Sequence, residues 1–237
     1  MHLFYAPNID GTIGSNYLLN EEESKHCIRV LRLSVGDTIH VTNGKGTLFR
    51  TLMVQARPKA CLLQIEERFD HRESRPYYVH LAVSPTKSPE RYEWMVEKAA
   101  EVGVDEITPL IAARSERKTY NIERAERIAI SAMKQSLKTY LPIIQQTTSF
   151  TTFINRPFEG VKLIAHCGEG FRKALNEVLT IQYPRYLILI GPEGDFSPDE
   201  VACAEVKGFQ SIHLGSSRLR SETAGLMAVM ALKFIHF

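Results

Sequence analysis

The sequence predicts a small β-rich unit followed by an α/β unit built on a mostly parallel sheet. Three observations predict it. Short alternating segments separated by turn residues crowd the first 70 positions. From Tyr77 onward, apolar strands alternate with capped helical stretches, the pattern of a parallel sheet with helices on both faces. Between them, Phe69–Pro76 is rich in Asp, His, Arg, Glu, Ser and Pro, which marks a boundary and divides the chain into 1–72 and 73–237.

Within the first unit, His2–Tyr5 reads as a strand. Asn20-Glu21-Glu22-Glu23 has the form of a capping box, with a short helix running on to Leu31. Thr38–Thr42 alternates Ile39 and Val41 inward, Asn43-Gly44-Lys45-Gly46 supplies a hairpin turn, and Thr47–Gln55 and Ala60–Glu66 carry two more strands. Strands of this number and length suggest a small β-barrel.

In the second unit, Tyr77–Val83 is a strand, and Ser88-Pro89-Glu90 opens a helix that Gly103 ends. Glu106–Leu110 is a strand. Asn121 opens a long helix with Ile122, Ala125, Ile128, Ala129, Ala132 and Met133 on one stripe. Lys162–His166, Tyr186–Ile190 and Ser211–Leu214 are strands. Ser197-Pro198-Asp199-Glu200 opens another helix, and Glu222–Phe237 closes the chain with Ser221 as its cap.

Composition narrows the function classes. The chain has 237 residues, 44% hydrophobic and 24% charged, with a net charge of +2, near the average for globular proteins. No apolar run approaches the ~20 residues of a membrane-spanning helix, and the N-terminus lacks the pattern of a signal peptide. The four cysteines (Cys27, Cys61, Cys167, Cys203) form no Cys-x-x-Cys pair and no His-x-x-x-His pair occurs. Reduced thiols in a cytoplasmic protein without a bound metal are the expectation.

Three stretches carry candidate chemistry. Leu187–Ile190 runs straight into Gly191-Pro192-Glu193-Gly194-Asp195, so a buried strand ends where backbone can approach a ligand. An ordinary turn between strand and helix has the same form. No dinucleotide or P-loop fingerprint is present. Leu214-Gly215-Ser216-Ser217-Arg218-Leu219-Arg220-Ser221-Glu222-Thr223 also leads from a strand end into a helix. Capping accounts for Ser221 and Glu222 but not for two arginines. Arg114 to Lys138 holds seven basic and three acidic residues, net +4, in a nearly neutral chain. Such a segment suits phosphates, and it also suits a solvated helix face with ion pairs. Salt-sensitive RNA binding is the expectation if the segment meets nucleic acid.

Taken in order, these stretches resemble the RsmE family, methyltransferases of the SPOUT superfamily that modify N3 of a uridine in 16S rRNA. The resemblance spans the chain. It rests on Arg29-Val30-Leu31-Arg32, Gly36-Asp37, Lys98-Ala99-Ala100-Glu101-Val102-Gly103-Val104, Pro109, Arg114-Ser115-Glu116-Arg117, Gln135-Ser136, Pro142, Ile190-Gly191-Pro192-Glu193-Gly194 and Leu219-Arg220-Ser221-Glu222-Thr223-Ala224. Three positions depart from the family pattern. Asp195 stands where a glycine is usual, Ser217 where an arginine is usual, and Lys134 precedes Gln135-Ser136 where a glutamate is usual.

The resemblance implies a PUA-like β-barrel and a SPOUT methyltransferase domain with a trefoil knot in roughly 160–237. It implies a homodimer, S-adenosylmethionine as cofactor and the small ribosomal subunit as partner. His166, Ile190, Gly191, Pro192, Glu193, Gly194, Leu214, Gly215 and Leu219 are the implied cofactor residues. Arg220 and Glu222 are the implied catalytic pair. Arg29, Arg32, Lys87, Arg114, Arg117, Gln135, Lys138 and Arg218 are the implied RNA contacts. Two other readings of the same residues remain: a SPOUT ribose 2′-O-methyltransferase, and a non-catalytic RNA-binding assembly factor.

Overall fold

A computed structural model describes residues 2–70, 76–182 and 185–236. The chain divides into two compact units, Met1–Ser74 with Met133–Leu141, and Arg75–Ala132 with Pro142–Phe237.

The first unit is a five-stranded sheet. Its strands are β1 (Leu3–Tyr5), β2 (Asn16–Leu18), β3 (Thr38–Thr42), β4 (Thr47–Gln55) and β5 (Leu62–Asp70), in the order β1-β3-β4-β5-β2. All pairs are antiparallel except β1 with β3. Alternation drives the packing: Phe49 and Met53 of β4 join Ile39, Val41, Leu63 and Ile65 in a buried cluster with Phe4, Ile9 and Leu19. Register shifts between Arg50 and Thr51, and between Met53 and Gln55, bend the long β4–β5 ribbon. The hairpin turn forms as its residues predict, with the Asn43 side chain accepting from the amides of Lys45 (2.8 Å) and Thr47 (3.2 Å).

Asn20 caps α1 (Glu21–Lys25), accepting from the Glu23 amide at 2.8 Å. The predicted helix to Leu31 is not continuous α-helix, because His26–Val30 is wound as a wider π turn. The Glu23 carboxylate is buried, accepting from the Tyr5 amide at 3.3 Å and pairing with the Lys134 ammonium. The Cys27 thiol is buried nearby and pushed up to about 12, first by burial and then by Cys61 and Glu23. Residues 133–141 join this unit through hydrogen bonds from Thr42 Oγ1 (3.2 Å) and the Gly46 amide (2.9 Å) to the Thr139 carbonyl.

The polar segment Phe69–Pro76, which contains the division between the two units, begins as strand. Phe69 and Asp70 are strand, paired with Leu48 and Thr47. Their polar neighbours signal an exposed strand end, where Arg68 bonds Asp70 and Asp10 at 3.2 and 3.1 Å. Residues 71–75 of that segment lie outside the described residues.

The second unit holds a parallel sheet. Its elements in chain order are β6 (Tyr78–Val83), α2 (Pro89–Val102), β7 (Glu106–Ile111), α3 (Ile122–Gln135), β8 (Ile143–Ile144), β9 (Thr148–Ser149), α4 (Phe150–Phe153), β10 (Val161–Ala165), β11 (Lys173–Ala174), α5 (Leu175–Val178), β12 (Arg185–Ile190), α6 (Pro198–Val206), β13 (Gln210–His213) and α7 (Ser221–Ile235). The last residues of α3, from Met133, group with the first unit. The strand order is β11-β13-β10-β12-β6-β7-β8, with β9 also pairing β7. The long strands were legible from their apolar runs. The two-residue strands and the four-residue helices carry too few residues to show a period.

Both faces of this sheet are covered. Ala82, Ile164, Leu187 and Leu189 pack with Phe150 and Phe153 of α4 and Ala204 of α6. The next residue along β6, Leu81, faces α7, where a Cβ added at Gly225 would stand 3.3 Å from Leu81 Cδ2 and 3.7 Å from Met95 of α2. Glycine there lets α7 lie close to the sheet and to α2 together. The register aligns the strand ends, with Ala165 opposite both Ile190 and Ile212, and Ile190 opposite Val83. The loops leaving β10, β12 and β13 therefore start at one edge of the sheet.

Candidate active site

The loop after β12 is held from every side by side chains. Glu193 Oε1 accepts from the Lys87 amide at 2.9 Å, tying it to the segment after β6. Arg114, which follows β7, donates to the carbonyls of Gly194 (3.0 Å) and Phe196 (3.4 Å). Asp195 Oδ2 accepts from the Cys167 amide at 2.8 Å, and its Oδ1 from the Phe196 amide at 2.9 Å, which joins the β12 loop to the β10 loop. Asp195 sits at φ 63°, a conformation glycine would adopt at less cost. The capping box of α6 completes the frame: Ser197 Oγ accepts from the Glu200 amide (3.2 Å) and the Glu200 carboxylate from the Ser197 amide (2.9 Å). The same carboxylate accepts from the Ala113 amide at 2.8 Å.

A fourth tie corrects a sequence expectation. Ser221 does not cap α7. Arg220 occupies the cap position, and the buried Ser221 hydroxyl donates to the Gly191 carbonyl at 2.8 Å. The first turn of the last helix is thereby pinned to the β12 loop. Ser88 departs similarly: it precedes α2, but its hydroxyl donates to Glu90 Oε2 at 2.6 Å and caps no backbone amide.

The loop after β13 contrasts with this. Ser216, Ser217, Arg218 and Arg220 are exposed, and Gly215 lies at φ 112° with nothing within 4 Å of where a Cβ would stand. Within the loop the Gly215 amide donates to His213 Nδ1 at 3.2 Å. Among the described residues, no hydrogen bond or ion pair engages the Arg218 or Arg220 guanidinium. Between the loops after β10, β12 and β13 and the start of α7 lies a cleft of about 930 Å3. Four arginines line it (Arg114, Arg172, Arg218, Arg220) against two carboxylates, Glu193 and Asp195.

Comparison with known proteins places this arrangement. An RNA methyltransferase domain model matches residues 73–233, and an RNA methyltransferase PUA domain model matches 19–66. The ribosomal RNA small subunit methyltransferase E of Buchnera aphidicola is 30% identical over 225 residues, 92% of this chain and 87% of its own. The chain belongs to the RsmE family. Its fold matches the crystal structure of a probable rRNA-methyltransferase from Porphyromonas gingivalis, 40% identical, with TM-score 0.91 over 100% of this chain and 98% of the other. It also matches ribosomal RNA small subunit methyltransferase E of Neisseria gonorrhoeae bound to S-adenosyl methionine, 25% identical, with TM-score 0.89 over 99% and 98%.

The cleft fits the cofactor bound by that RsmE relative. Its volume is in the range of small-molecule sites. His166 is 7% exposed, and neither ring nitrogen has a partner. Burial lowers its pKa, opposed by Asp195, so the imidazole is uncharged at neutral pH. Buried polar atoms without partners are rare, and a ligand that meets them explains their retention.

All nine of the expected cofactor residues line this cleft: His166, Ile190, Gly191, Pro192, Glu193, Gly194, Leu214, Gly215 and Leu219. Arg220, Arg218 and Arg114 line it too. Glu222 does not; it is 8% exposed, in the first turn of α7. Lys87 and Arg117 are linked to each other through the Lys87 carbonyl (3.0 Å), and the Lys87 ammonium pairs with Glu116 at 3.1 Å. Arg29, Arg32, Gln135 and Lys138 belong to the first unit. Arg29 and Arg32 are exposed there, Arg32 at φ 56°.

Sequence reasoning missed Cys167, Gly168 and Arg172, which line the cleft from the β10 loop, and the tying role of Ser221. Arg172 donates to the His166 carbonyl at 2.8 Å. The available signal was their place, within six residues after an apolar strand. Among the described residues, no group of three His, Cys, Asp or Glu could hold a metal ion, and no helix is long and apolar enough to cross a membrane.

Proposed function

We propose that this chain methylates N3 of a uridine in the 16S rRNA of the small ribosomal subunit, with S-adenosylmethionine as donor. The observation that carries the reading is the cleft itself, with one wall tied rigid by Glu193, Arg114, Asp195 and Ser221, and the other carrying the unpaired Arg218 and Arg220. Backbone groups at Ile190, Gly191, Gly194, Leu214, Gly215 and Leu219, with Pro192 and Glu193 shaping the loop and His166 beneath, hold the cofactor. When bound, the cofactor supplies a methyl group made electrophilic by its cationic sulfur.

The chain's own groups do the rest. N3 lies on the Watson–Crick edge and carries a proton, so the target base enters unpaired and leaves its proton behind. Arg220 stabilises the uracil anion by a charge aimed where charge develops. Glu222, buried in the first turn of α7, makes no bond to the Arg220 guanidinium, so its part in the proposal is to assist the proton's departure and not to orient Arg220. Arg218, Arg114, Arg117 and Lys87 of the second unit, with Arg29, Arg32, Gln135 and Lys138 of the first, contact RNA. Arg114 does so with whatever donors its two carbonyl contacts leave over.

The finer architecture belongs to the same proposal. Residues 1–72 form a PUA-like barrel that binds RNA and 73–237 the methyltransferase, cytoplasmic in location. A trefoil knot in roughly 160–237 is supported by the path of α7, which follows β13 yet packs against β6 and β12, across β10 from where it began. A homodimer is supported by an apolar face on α7, where Met227, Met230 and Phe234 are exposed, beside α2 with its exposed Trp94.

The test incubates the protein with labelled S-adenosylmethionine and small subunits from a strain lacking this enzyme, then identifies the nucleoside by mass spectrometry. N3-methyluridine is the expected product. A 2′-O-methylated nucleoside would move the chemistry to ribose. Undetectable calorimetric binding of S-adenosylmethionine would leave a non-catalytic assembly factor.

A further inference from the structure

The proposed reaction requires a pyrimidine to leave its stack, and apart from the half-buried His213, whose Nδ1 accepts from the Gly215 amide, the described residues of the cleft offer it no accessible aromatic ring. Among the described residues lining the cleft there is no Phe, Tyr or Trp, and of its two imidazoles His166 is buried. A base drawn out of RNA ordinarily regains a π-face from the protein. An exposed face of this kind stands beside the cleft. The β10 loop leaves the cleft wall at Gly168 and returns to it at Arg172. Between them Phe171 is 83% exposed.

Three features make this exposure more than a stray apolar side chain. Among the described residues, the exposed Phe and Trp side chains are Phe69, Trp94, Phe171 and Phe234, and of these Phe171 alone sits on a segment that borders the cleft. Its position is set from both sides. Arg172 is anchored through its guanidinium to the His166 carbonyl at 2.8 Å, and Gly170 lies at φ 105°, a backbone conformation that glycine adopts without strain. The charge around it also suits nucleic acid, since Arg172 follows directly and the unpaired Arg218 and Arg220 line the same cleft.

We propose that Phe171 is a stacking platform at the cleft rim for an unpaired base of the RNA substrate. The inference rests on the RNA methyltransferase reading above and adds a contact that reading does not contain. Stacking on a phenyl ring is indifferent to which base it meets, so Phe171 contributes affinity for an opened strand, and the choice of target falls to other groups.

The experiment compares wild type, Phe171→Ala, Phe171→Tyr and Phe171→Trp for methyl transfer to small subunits lacking the modification. It adds calorimetric binding of S-adenosylmethionine and sedimentation of each protein. Phe171→Ala is expected to raise KM for the subunit roughly tenfold, with kcat and cofactor affinity within about twofold. Tyr and Trp at this position are expected to restore KM. The Trp variant should also show fluorescence quenched by a uridine-containing single-stranded oligoribonucleotide, against wild type, whose single tryptophan is Trp94, as the blank.

An unchanged KM in Phe171→Ala overturns the proposal. So does equal impairment of the Tyr and Ala variants, or a Phe171→Ala protein that sediments as a smaller species than wild type, which would make the ring a protein contact. Failure of the parent reading looks different, because wild type itself would then yield no N3-methyluridine.

Discussion

The two loops that face each other across the cleft are built on opposite principles. The β12 loop is bonded by side chains to the segments after β6, β7 and β10 and to the start of α7. The β13 loop has its glycine at positive φ in open space and two arginines without partners among the described residues. Fixed groups bind without a cost of ordering, and they suit a small molecule of constant shape. Unpaired cations on an exposed loop suit a large anionic partner that arrives in many orientations. On the proposed reading, the β12 loop gives the cofactor its fixed wall, while the β13 loop adds Leu214, Gly215 and Leu219 to the cofactor site and leaves Arg218 and Arg220 to the RNA.

The sharpest way to break that division is Arg220→Ala. It should lower kcat about 100-fold or more, the effect of deleting one charge-stabilising donor, while cofactor affinity and Tm stay near wild type. A parallel loss of cofactor affinity in calorimetry would show that the two walls are not separate. Ser221→Ala comes next. It leaves the Gly191 carbonyl buried without its donor, at a cost of about 1–2 kcal/mol, and should lower Tm by about 2–8 °C. Cofactor Kd should rise several-fold in the same protein, and an unchanged Kd would mean the loop holds its shape without that tie.

Asp195 gives the smallest effect and the finest reading. Asp195→Gly removes the bond to the Cys167 amide yet relieves the strain at φ 63°. Stability should change by less than about 1 kcal/mol, with cofactor Kd raised about threefold. Asp195→Asn keeps an oxygen acceptor and should lie between wild type and the glycine protein when titrated calorimetrically. Identical affinities across the three would remove the β10–β12 bond from the cofactor's binding.

Much of this was legible beforehand. The Ser197-Pro198-Asp199-Glu200 box forms as written, because its bonds are local and every partner lies within three residues. The apolar runs of β6, β10 and β12 fix buried strands, and the glycine-bearing exit of β12 points to a ligand edge. Ser221 was misread for an equally physical reason. A hydroxyl at a helix start can serve its own helix or a neighbouring carbonyl, and only the position of Gly191, thirty residues away, selects between them. At Phe69 and Asp70 the polar composition marks an exposed strand end.

The sequence by itself determined the β-rich and parallel-sheet units, the strand ends that carry the glycine loops, and the identity of the arginines. These follow from periodicity and local bonding, which need no distant partner. Tertiary structure decided the rest: that residues 133–141 pack with the first sheet, that Asp195 reaches Cys167, that His166 is buried without a partner, and that Arg218 and Arg220 stay free while Arg114 does not. Each depends on contacts between residues far apart in the chain, set by sheet register rather than by neighbouring side chains.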